Sequence, residues 1–521
     1  MENRWAIVEY DVLYWKKRAE AAEAENAALR AEVEKLKAEL VYLKKMLFGR
    51  KSEQQKAPVE HPETAFENDV TKRPRGQQPG TDGHGRRTYA QLPMEEVIHD
   101  LPADKCSCPH CGLPYEPFPG NETSEEIDYR VELVRVVHQR RRYRKTCQCP
   151  GVPGIVTAPP PPKFQAKGLV TPGFAAHLVT EKYLLARPTN KTREALCMAG
   201  LDMSLGTFTD VLHHASELLV PLEEACRVYC RAGDFWHMDE TSWRVYEEVD
   251  GKTGHRWWLW VAGNPSRKVT IFLLDPTRSS KVPRKLLALD GENPARGILM
   301  SDDYVVYRSL GGGILQARCW AHMRRNFIEV GQGYAKLKEW AAEWIELIAQ
   351  LYHLHGLRKQ CRPGTEEFAA ADKVLRDFVG KMKAVMEEQY TQRPRLPDAA
   401  WNVLVSMENR WEKLTLFLDY LELPLDNNEA ERLLRTPVLG RKNYNGSGST
   451  WSAEAAARFW TVLFTVRQNG LNPLSYLIAY FQACAKNGGK PLSDSELAPF
   501  LPWTMDGDTR RALTMPANNT S

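Results

Sequence analysis

The sequence predicts a multidomain α+β protein, and three observations support that fold class. A heptad repeat occupies the amino-terminal region, a cysteine-bearing segment with β-branched residues follows it, and apolar runs of strand length begin after Gly233. Long helical patterns then interrupt the strand-forming region before it resumes. At 521 residues the chain is also too long for one ordinary domain.

The net charge is nearly balanced, but its distribution along the chain is uneven. The formal net charge is +4, while basic residues cluster between residues 73 and 87 and between 140 and 145. Such clusters favour a polyanionic partner, although a solvated basic surface is the simpler alternative. The charged first residues and the lack of a long apolar stretch predict a cytoplasmic protein with no membrane partner. In that reducing compartment, the 11 cysteines favour metal binding over disulfides.

Residues 1–50 are predicted to form a coiled coil. Leu29, Leu36 and Leu43 recur at intervals of seven residues. Asn26 lies at the other seam position, where a polar residue fixes the register of two-stranded coils. We therefore expect a homo-oligomer and favour a dimer; an intramolecular hairpin or a lone solvated helix is the alternative.

Residues 96–162 are predicted to form a zinc-binding ribbon. Zinc prefers four ligands in a tetrahedron, usually from two short knuckles, and β-branched residues around Leu133 and Val136 predict a hairpin between them. The first knuckle has normal spacing, the second is tighter than usual, and Cys106 or His110 are alternative ligands. The favoured ligands of this structural Zn²⁺ are Cys108, Cys111, Cys147 and Cys149.

Two neighbouring segments are predicted to contact DNA. A basic patch leads into the second knuckle and would touch phosphate; it consists of Arg140, Arg141, Arg142, Arg144 and Lys145. Residues 163–230 then show helices at 172–185, 189–198 and 205–229, a pattern typical of a helix-turn-helix-like DNA-binding region. A purely structural helical bundle explains the same pattern equally well.

The strand-forming region is predicted to be a ribonuclease-H-like α/β catalytic domain. Its first half, residues 231–333, has strands at 235–238, 256–261 and 269–274, a helix at 281–289 and a fourth strand at 297–300. Strand–strand–strand–helix–strand is the order that opens such a domain. Residues 334–421 form a predicted helical insertion, and residues 422–485 form the second half.

Three acidic residues are expected to meet in that domain. Asp239 and Asp302 follow apolar runs, as at the ends of buried strands, and Glu431 lies in a helical pattern that begins near Asn428. Two aspartates at strand ends and one helix glutamate could hold a pair of divalent cations that polarise a phosphodiester. Each acid taken alone is better explained as a surface carboxylate or a helix cap.

Two regions are predicted to lack a core of their own. Residues 51–95 are polar and rich in proline, glycine and charge, which indicates a basic flexible linker. Residues 486–521 are a predicted carboxy-terminal tail, expected to be loosely ordered from Pro499 onward, and residues 441–449 a basic turn rich in glycine and serine.

The chain resembles the insertion-sequence-66 (IS66) family of bacterial transposases. The order and combination of short motifs carry this resemblance: LFGRKSE at 47–53, DET at 239–241, DDYVVY at 302–307, CWAHMRR at 319–325, DNNEAER at 426–432, RKN at 441–443, NGLNP at 469–473 and LPW at 501–503. The second cysteine knuckle departs from the Cys-x-x-Cys that is usual in the family, and Asp303 stands where the family usually has glycine.

The resemblance implies a DDE transposase that cuts and joins DNA at transposon ends. Its acids fall on Asp239, Asp302 and Glu431, which would bind two Mg²⁺ ions, with Mn²⁺ as a substitute. Because adjacent side chains on a strand point to opposite faces, only one acid of Asp302 and Asp303 should reach the metals, and which one stays open. The same argument separates Asp239 from Glu240.

Further partners follow from the same resemblance. Arg441 and Lys442 would hold phosphate near the metals, and His322, Arg324 and Arg325 would brace the site or contact double-stranded DNA. Small companion proteins encoded by the element are expected partners, and a DNA-bound protein would be nucleoid-associated. The alternatives are a catalytically inactive or domesticated DNA-binding protein and a two-metal nuclease that hydrolyses without joining.

Overall fold

The structure is a computed structural model of the chain. Apart from isolated positions between residues 96 and 153, it describes residues 132–144, 155–249, 254–292, 294–302, 304–311, 313–391 and 396–515. Several predictions concern residues outside these ranges: the coiled coil, the linker, Lys145, Asp303, and the proposed zinc ligands Cys108, Cys147 and Cys149. Contacts divide the chain between Thr123 and Ser124, and the described helices and strands lie in the second unit.

The described strands form two sheets. A two-stranded antiparallel sheet pairs β1 (Arg142–Arg144) with β2 (Ile155–Thr157). A five-stranded mixed sheet consists of β3 (Phe235–Arg244), β4 (Arg256–Asn264), β5 (Val269–Asp275), β6 (Gly297–Ser301) and β7 (Ile314–Arg318). Its spatial order is β5–β4–β3–β6–β7. β4 is antiparallel to both β3 and β5, whereas β6 is parallel to both β3 and β7.

Sixteen α-helices surround these strands within the described residues. They are α1 (Pro172–Tyr183), α2 (Thr189–Met198), α3 (Leu205–Leu218), α4 (Val220–Arg231), α5 (Lys281–Leu286), α6 (Val305–Arg308), α7 (Trp320–Gly333), α8 (Lys338–Gln360), α9 (Glu366–Thr391), α10 (Asp398–Glu408), α11 (Trp411–Thr415), α12 (Asn428–Tyr444), α13 (Thr450–Gln468), α14 (Pro473–Lys486), α15 (Asp494–Leu497) and α16 (Gly507–Leu513). Helices α8 to α11 lie within residues 334–421, the range of the predicted helical insertion.

Alternating side chains of the large sheet enter two different cores. On β4, Leu259 and Val261 pack with α1, α3, α13 and α14, whereas Trp260 and Ala262 pack with α4 and α5. This alternation follows from the two-residue period of a strand. A third core joins β6 and β7 to the helical insertion, with Met300, Ala317 and Trp344 among its buried members. The insertion therefore packs directly on the sheet.

Helix α13 covers the edge strand β5 with two threonines. Thr461 Oγ1 accepts a hydrogen bond from the backbone N–H of Phe272 at 2.9 Å, and Thr465 Oγ1 accepts one from Thr270 N at 3.1 Å. An unpaired strand edge is a template for aggregation, and these hydroxyls occupy its donors. Both threonines are fully buried, so the helix and the edge strand form one packed unit.

Several predicted boundaries differ from those of the structure. The predicted helix at 205–229 breaks near Leu219, because Pro221 begins a new helix there. The fifth strand, β7, was missed. The predicted turn at 441–449 begins only at Asn445, which ends α12 in the left-handed conformation with φ +65°. The β-branched run around Leu133 and Val136 is exposed and belongs to no strand; the hairpin pairs residues 142–144 with 155–157.

Two predicted domains are not separate in the structure. Phe208 of the predicted DNA-binding region belongs to the same hydrophobic core as Trp243 of the sheet, so that region packs as part of the sheet domain. The prediction of loose order is wrong for residues 499–515. Leu497 and Leu513 are buried in that same core, and Asn472 N donates to Leu513 O at 2.7 Å.

Candidate active site

The first predicted acid lies within a strand instead of at its end. The prediction that the strand stops at residue 238 is wrong, because β3 continues through Asp239 to Arg244. Pairing with β4 extends along this part of the strand, from His237 opposite Gly263 to Arg244 opposite Arg256. Asp239 is thus held by a paired backbone on a central strand of the sheet.

Asp239 and Glu240 point to opposite faces of β3, as predicted. Glu240 is buried, and its carboxylate accepts hydrogen bonds from Arg278 Nη2 at 2.6 Å and from the Tyr307 hydroxyl. The guanidinium of Arg278 in turn lies over the ring of Tyr304, 3.7 Å from its centroid. Burial raises the pKa of Glu240, while the bonds from Tyr307 and Arg278 oppose that shift. Glu240 therefore has a packing role on the face away from α12.

The second acid follows the neighbouring parallel strand at a matching position. His237 of β3 pairs with Met300 of β6. Continuing this register by two residues brings Asp239 beside Asp302, and parallel neighbours lie roughly 5 Å apart. Asp302 Oδ1 accepts a hydrogen bond from Tyr304 N at 3.1 Å, and its backbone carbonyl accepts one from the buried Arg318 at 3.0 Å.

The third acid lies in the first turn of α12. Glu431 is partly buried, and its Oε1 lies 3.9 Å from Nε2 of His322 on α7. Glu429 is held elsewhere, because its carboxylate pairs with Arg432 at 2.6 Å. The two glutamates are roughly 200° apart around the helix axis. Only Glu431 therefore faces the side on which α7 lies.

Asn427 joins the elements that carry the three acids, and the sequence reasoning missed it. The buried side chain of Asn427 accepts a hydrogen bond from His237 Nδ1 at 2.8 Å and donates one to Met238 O at 2.8 Å. The backbone N–H of Asn427 donates to Cys319 Sγ at 3.3 Å. It thereby fixes the start of α12 against β3, one residue before Asp239. Its position inside the DNNEAER motif was the available signal.

The electrostatics of Asp239 reflect its neighbours. Burial raises the pKa of Asp239 to about 7; the hydrogen bond from Glu240 N lowers it, and the charges of Glu240, Asp302 and Glu431 raise it further. A cluster of like charges disfavours ionisation of its most buried member. The carboxylates of Asp239, Asp302 and Glu431 are thus close enough to influence one another.

The donor set fits a hard divalent cation by its chemistry. Carboxylate oxygens are the ligands that Mg²⁺ prefers, and a cation would relieve the repulsion that raises the pKa of Asp239. As the side chains stand, however, no group of three or more His, Cys, Asp or Glu residues within the described ranges is placed to hold a metal ion. The predicted zinc ribbon lies largely outside those ranges: of its favoured ligands only Cys111, an exposed residue, is described.

The predicted DNA-contacting residues divide by exposure. Most are exposed on the surface: Arg140, Arg141, Arg142, Arg144, Arg324, Arg325 and Lys442. Arg441 is only partly exposed, because its guanidinium donates to the hydroxyls of Thr241 and Ser242 at 3.0 Å each. Arg441 is therefore held against the distal half of β3.

Comparison with known proteins identifies the family. The family described as "Transposase IS66 family" matches residues 167–455, more than half of the chain and a range that includes Asp239, Asp302 and Glu431. The chain belongs to the IS66 family of transposases. Membership indicates a transposase function, and hence an enzyme that acts on DNA. The family resemblance noted in the sequence is confirmed.

Three relatives are similar to this chain over most of its length. All three are uncharacterized proteins of Sinorhizobium fredii (strain NBRC 101917 / NGR234). The protein y4hP is 26% identical over 79% of this chain and 75% of its own length. The proteins y4jD and y4qI are 23% and 25% identical and cover 91% and 95% of this chain and 95% and 96% of their own lengths. No solved structure matches.

None of the described helices is long and apolar enough to cross a membrane.

Proposed function

We propose that this chain is a DDE-type DNA transposase that cuts DNA at the ends of its element and joins them to a target. The proposal names Asp239, Asp302 and Glu431 as the acids. The observation that carries it is the register of β3 and β6, which brings Asp239 beside Asp302, together with the hold of Asn427 on the start of α12. These features lie within the range that matches the family.

The sheet supports a ribonuclease-H-like fold for the catalytic domain. Three antiparallel strands are followed by two strands parallel to the first, in the spatial order third, second, first, fourth, fifth. A helical insertion between the last strand and α12 accounts for the long separation of Glu431 from the two aspartates. Asp239 lies two residues beyond the last residue of β3 that pairs with β6, and Asp302 follows the end of β6 directly.

The acids would bind Mg²⁺ or Mn²⁺, which when bound polarises a phosphodiester and activates a water or sugar hydroxyl for attack. Asp239 supplies a carboxylate from a rigid strand, and Asp302 supplies one from the end of the next strand. Glu431 approaches from the helix, and His322 lies close enough to orient it. Asn427 holds the helix in place, and Glu240 is kept out of the site by Arg278 and Tyr307.

DNA would approach across the exposed arginines. Arg324 and Arg325 follow His322 on α7, so phosphates bound there would lie near Glu431. The proposal keeps the zinc ribbon, the dimeric coiled coil and the companion proteins as parts of the active complex. β1 and β2 pair with each other, and Cys147 and Cys149 stand between them in the sequence, which is where a ribbon would place its second knuckle.

The test is cleavage and joining of a duplex that carries the element's own ends, with Mg²⁺ or Mn²⁺. Asp239→Asn, Asp302→Asn and Glu431→Gln should each lower the rates of cleavage and joining by at least about a thousandfold, because each removes a proposed metal ligand. Glu429→Gln is the matched control on the same helical turn and should retain activity. Asp303→Asn tests the alternative ligand.

Three outcomes would change the proposal. Loss of activity with Asp303→Asn but not Asp302→Asn would keep the mechanism and move the ligand. Cleavage without joining by the wild-type protein would indicate a nuclease. Specific binding of the ends without cleavage, even with Mn²⁺ and companion proteins, would indicate a DNA-binding derivative.

A further inference from the structure

A second cationic site lies at the distal end of β3. A cavity of about 570 Å³ opens there between β3, the start of β4 and the end of α12. Its lining includes Arg244, Tyr246, His255, Arg256, Arg441 and Lys442. The cavity has the size of an ordinary small-ligand pocket, about 300–1,000 Å³. The proposed triad does not use any of these residues.

The cations of this pocket lack a negative partner in the described residues. Arg244 and Arg256 stand directly opposite each other on the antiparallel strands β3 and β4. Like charges at such positions repel and are destabilising. No acidic side chain within the described ranges pairs with either arginine or with Lys442, and Arg441 donates only to neutral oxygens of Thr241 and Ser242. Burial lowers the pKa of Arg441, which adds to the need for an anion.

Two aromatic rings form one wall of the same pocket. Tyr246 is 44% exposed, and its ring centroid lies 5.5 Å from that of His255 at a tilt of 44°. Their backbones are fixed, because Tyr246 N donates to Ser447 O at 3.0 Å and Val245 N donates to His255 O at 2.9 Å. The ring of His255 is fixed as well, since its Nδ1 lies 3.0 Å from Val245 O. An exposed flat ring on a fixed backbone is a stacking surface for a planar group.

The wall opposite the strands is also fixed in shape. Gly446 has φ +141°, and a Cβ at this position would lie 2.3 Å from Arg244 O. Only glycine therefore lets the turn after α12 approach β3 so closely. Ser447 N then donates to Arg244 O at 2.9 Å, and Trp243 Nε1 donates to Ser447 Oγ at 3.1 Å. The pocket is held open by the fold itself.

We infer that this pocket binds an unpaired nucleotide of the DNA strand, with its phosphate among the arginines and its base against Tyr246. A base inside a duplex has no free face, so stacking on Tyr246 requires a nucleotide that has left the helix. The inference rests on the proposed function for the identity of its ligand. Ser242 follows Asp239 by three residues on β3, roughly 10 Å along the strand, so one DNA strand can reach both the proposed triad and the pocket.

Binding of labelled DNA to the full-length protein without divalent cation tests this inference separately from catalysis. The probes are one duplex with blunt ends and the same duplex with a four-nucleotide single-stranded tail that carries 2-aminopurine. We expect the wild type to prefer the tailed duplex and to quench the 2-aminopurine. Tyr246→Ala should reduce that preference about tenfold and abolish the quenching, because base–aromatic stacking contributes roughly 1–3 kcal/mol.

Matched variants separate the pocket from general effects of substitution. Tyr420, 38% exposed, provides the control Tyr420→Ala. Arg256→Gln should weaken binding and lower the slope of affinity against salt by about one, whereas the exposed Arg467→Gln should change neither. If Tyr246→Ala unfolds the protein, the affinity and salt dependence of Arg256→Gln still test the inference.

Three results would overturn the inference. The first is equal affinity of the wild type for the blunt and tailed duplexes. The second is that Tyr246→Ala reduces the preference for the tailed duplex no more than Tyr420→Ala does. The third is binding of inorganic phosphate or of a free deoxynucleotide as tightly as the tailed strand, which would assign the pocket to a small ligand. None of these results depends on cleavage, so the proposed triad is tested separately by the cleavage and joining assay.

Discussion

Burial raises the pKa of Asp239 far above its usual value. Its folded pKa of about 7 exceeds the value of about 3.9 expected in the unfolded chain. Between these two pH values the folded state keeps a proton that the unfolded state releases. The free energy of unfolding should therefore fall as the pH rises from about 4 through about 7.

Asp239→Asn should remove this decline, because asparagine does not titrate. Urea unfolding at pH 5 and pH 8 measures it for the wild type, the variant and the control Glu429→Gln. Addition of Mg²⁺ at pH 8 should stabilise the wild type more than Asp239→Asn, since a bound cation would compensate the ionised carboxylate. Parallel pH profiles for the wild type and Asp239→Asn would contradict the assignment of the raised pKa to this residue.

At the scale of single residues, strand alternation was enough to separate Asp239 from Glu240, because the two-residue period is a local property of the chain. The hydrogen-bond partners of Glu240 were not predictable. Its partners Arg278 and Tyr307 lie 38 and 67 residues away in sequence. Only the packing of α6 and the loop before α5 against the sheet brings those partners together.

The element that decides the geometry of the site is the amino end of α12. Asn427→Ala removes the hydrogen bonds to His237 and Met238 and leaves buried polar groups without partners. We expect a loss of about 1–3 kcal/mol in the free energy of unfolding, and a fall in the cleavage rate that is larger than any change in DNA affinity. Chemical denaturation and single-turnover cleavage measure the two effects.

Asn469→Ala provides a matched control for that prediction. Asn469 Nδ2 also donates to two backbone carbonyls, those of Lys268 and Thr465, each at 2.8 Å, but it lies after α13. Asn469→Ala should lower the free energy of unfolding about as much as Asn427→Ala and leave the cleavage rate of the folded protein unchanged. Equal losses of activity in the two variants would mean that Asn427 acts only through global stability.

Most elements with a strong local pattern were predictable, and their ends were not. The strands β4 and β5 follow apolar runs, so the sequence located them to within a few residues. β7 was missed because Ile314–Arg318 is short and contains Gln316 and Arg318, whose partners come from the sheet. β3 continues past Asp239 because cross-strand pairing with β4 outweighs the polar residues there.

At the scale of the whole molecule, the carboxy-terminal segment closes the main core. Leu513 is 8% exposed, and the segment's backbone bonds to the turn after α13 through Asn472 N and Met515 N. Leu513→Ala should lower the free energy of unfolding by about 2–3 kcal/mol, because it leaves a cavity in that core. Leu439 is 50% exposed on α12. The matched control Leu439→Ala should change the free energy of unfolding by less than about 0.5 kcal/mol. Urea midpoints compare the two variants.

An unchanged midpoint for Leu513→Ala would mean that the segment only covers the core loosely. Its packing was not predictable from composition, since its proline and polar residues suggest a loose tail. The apolar residues that enter the core are far apart in the segment, at positions such as Leu492 and Leu513. Their role depends on a surface built by α1, α13 and α14.

The helical insertion also imposes an order in time on a chain that is still being synthesised. Glu431 follows Asp302 by 129 residues (431 minus 302). At roughly 5–20 residues per second, a ribosome would deliver it about 6 to 26 s after the second aspartate. Through that interval the strands exist without the third acid and without Asn427. On the proposed mechanism, a nascent chain next to its own gene could not yet cut it.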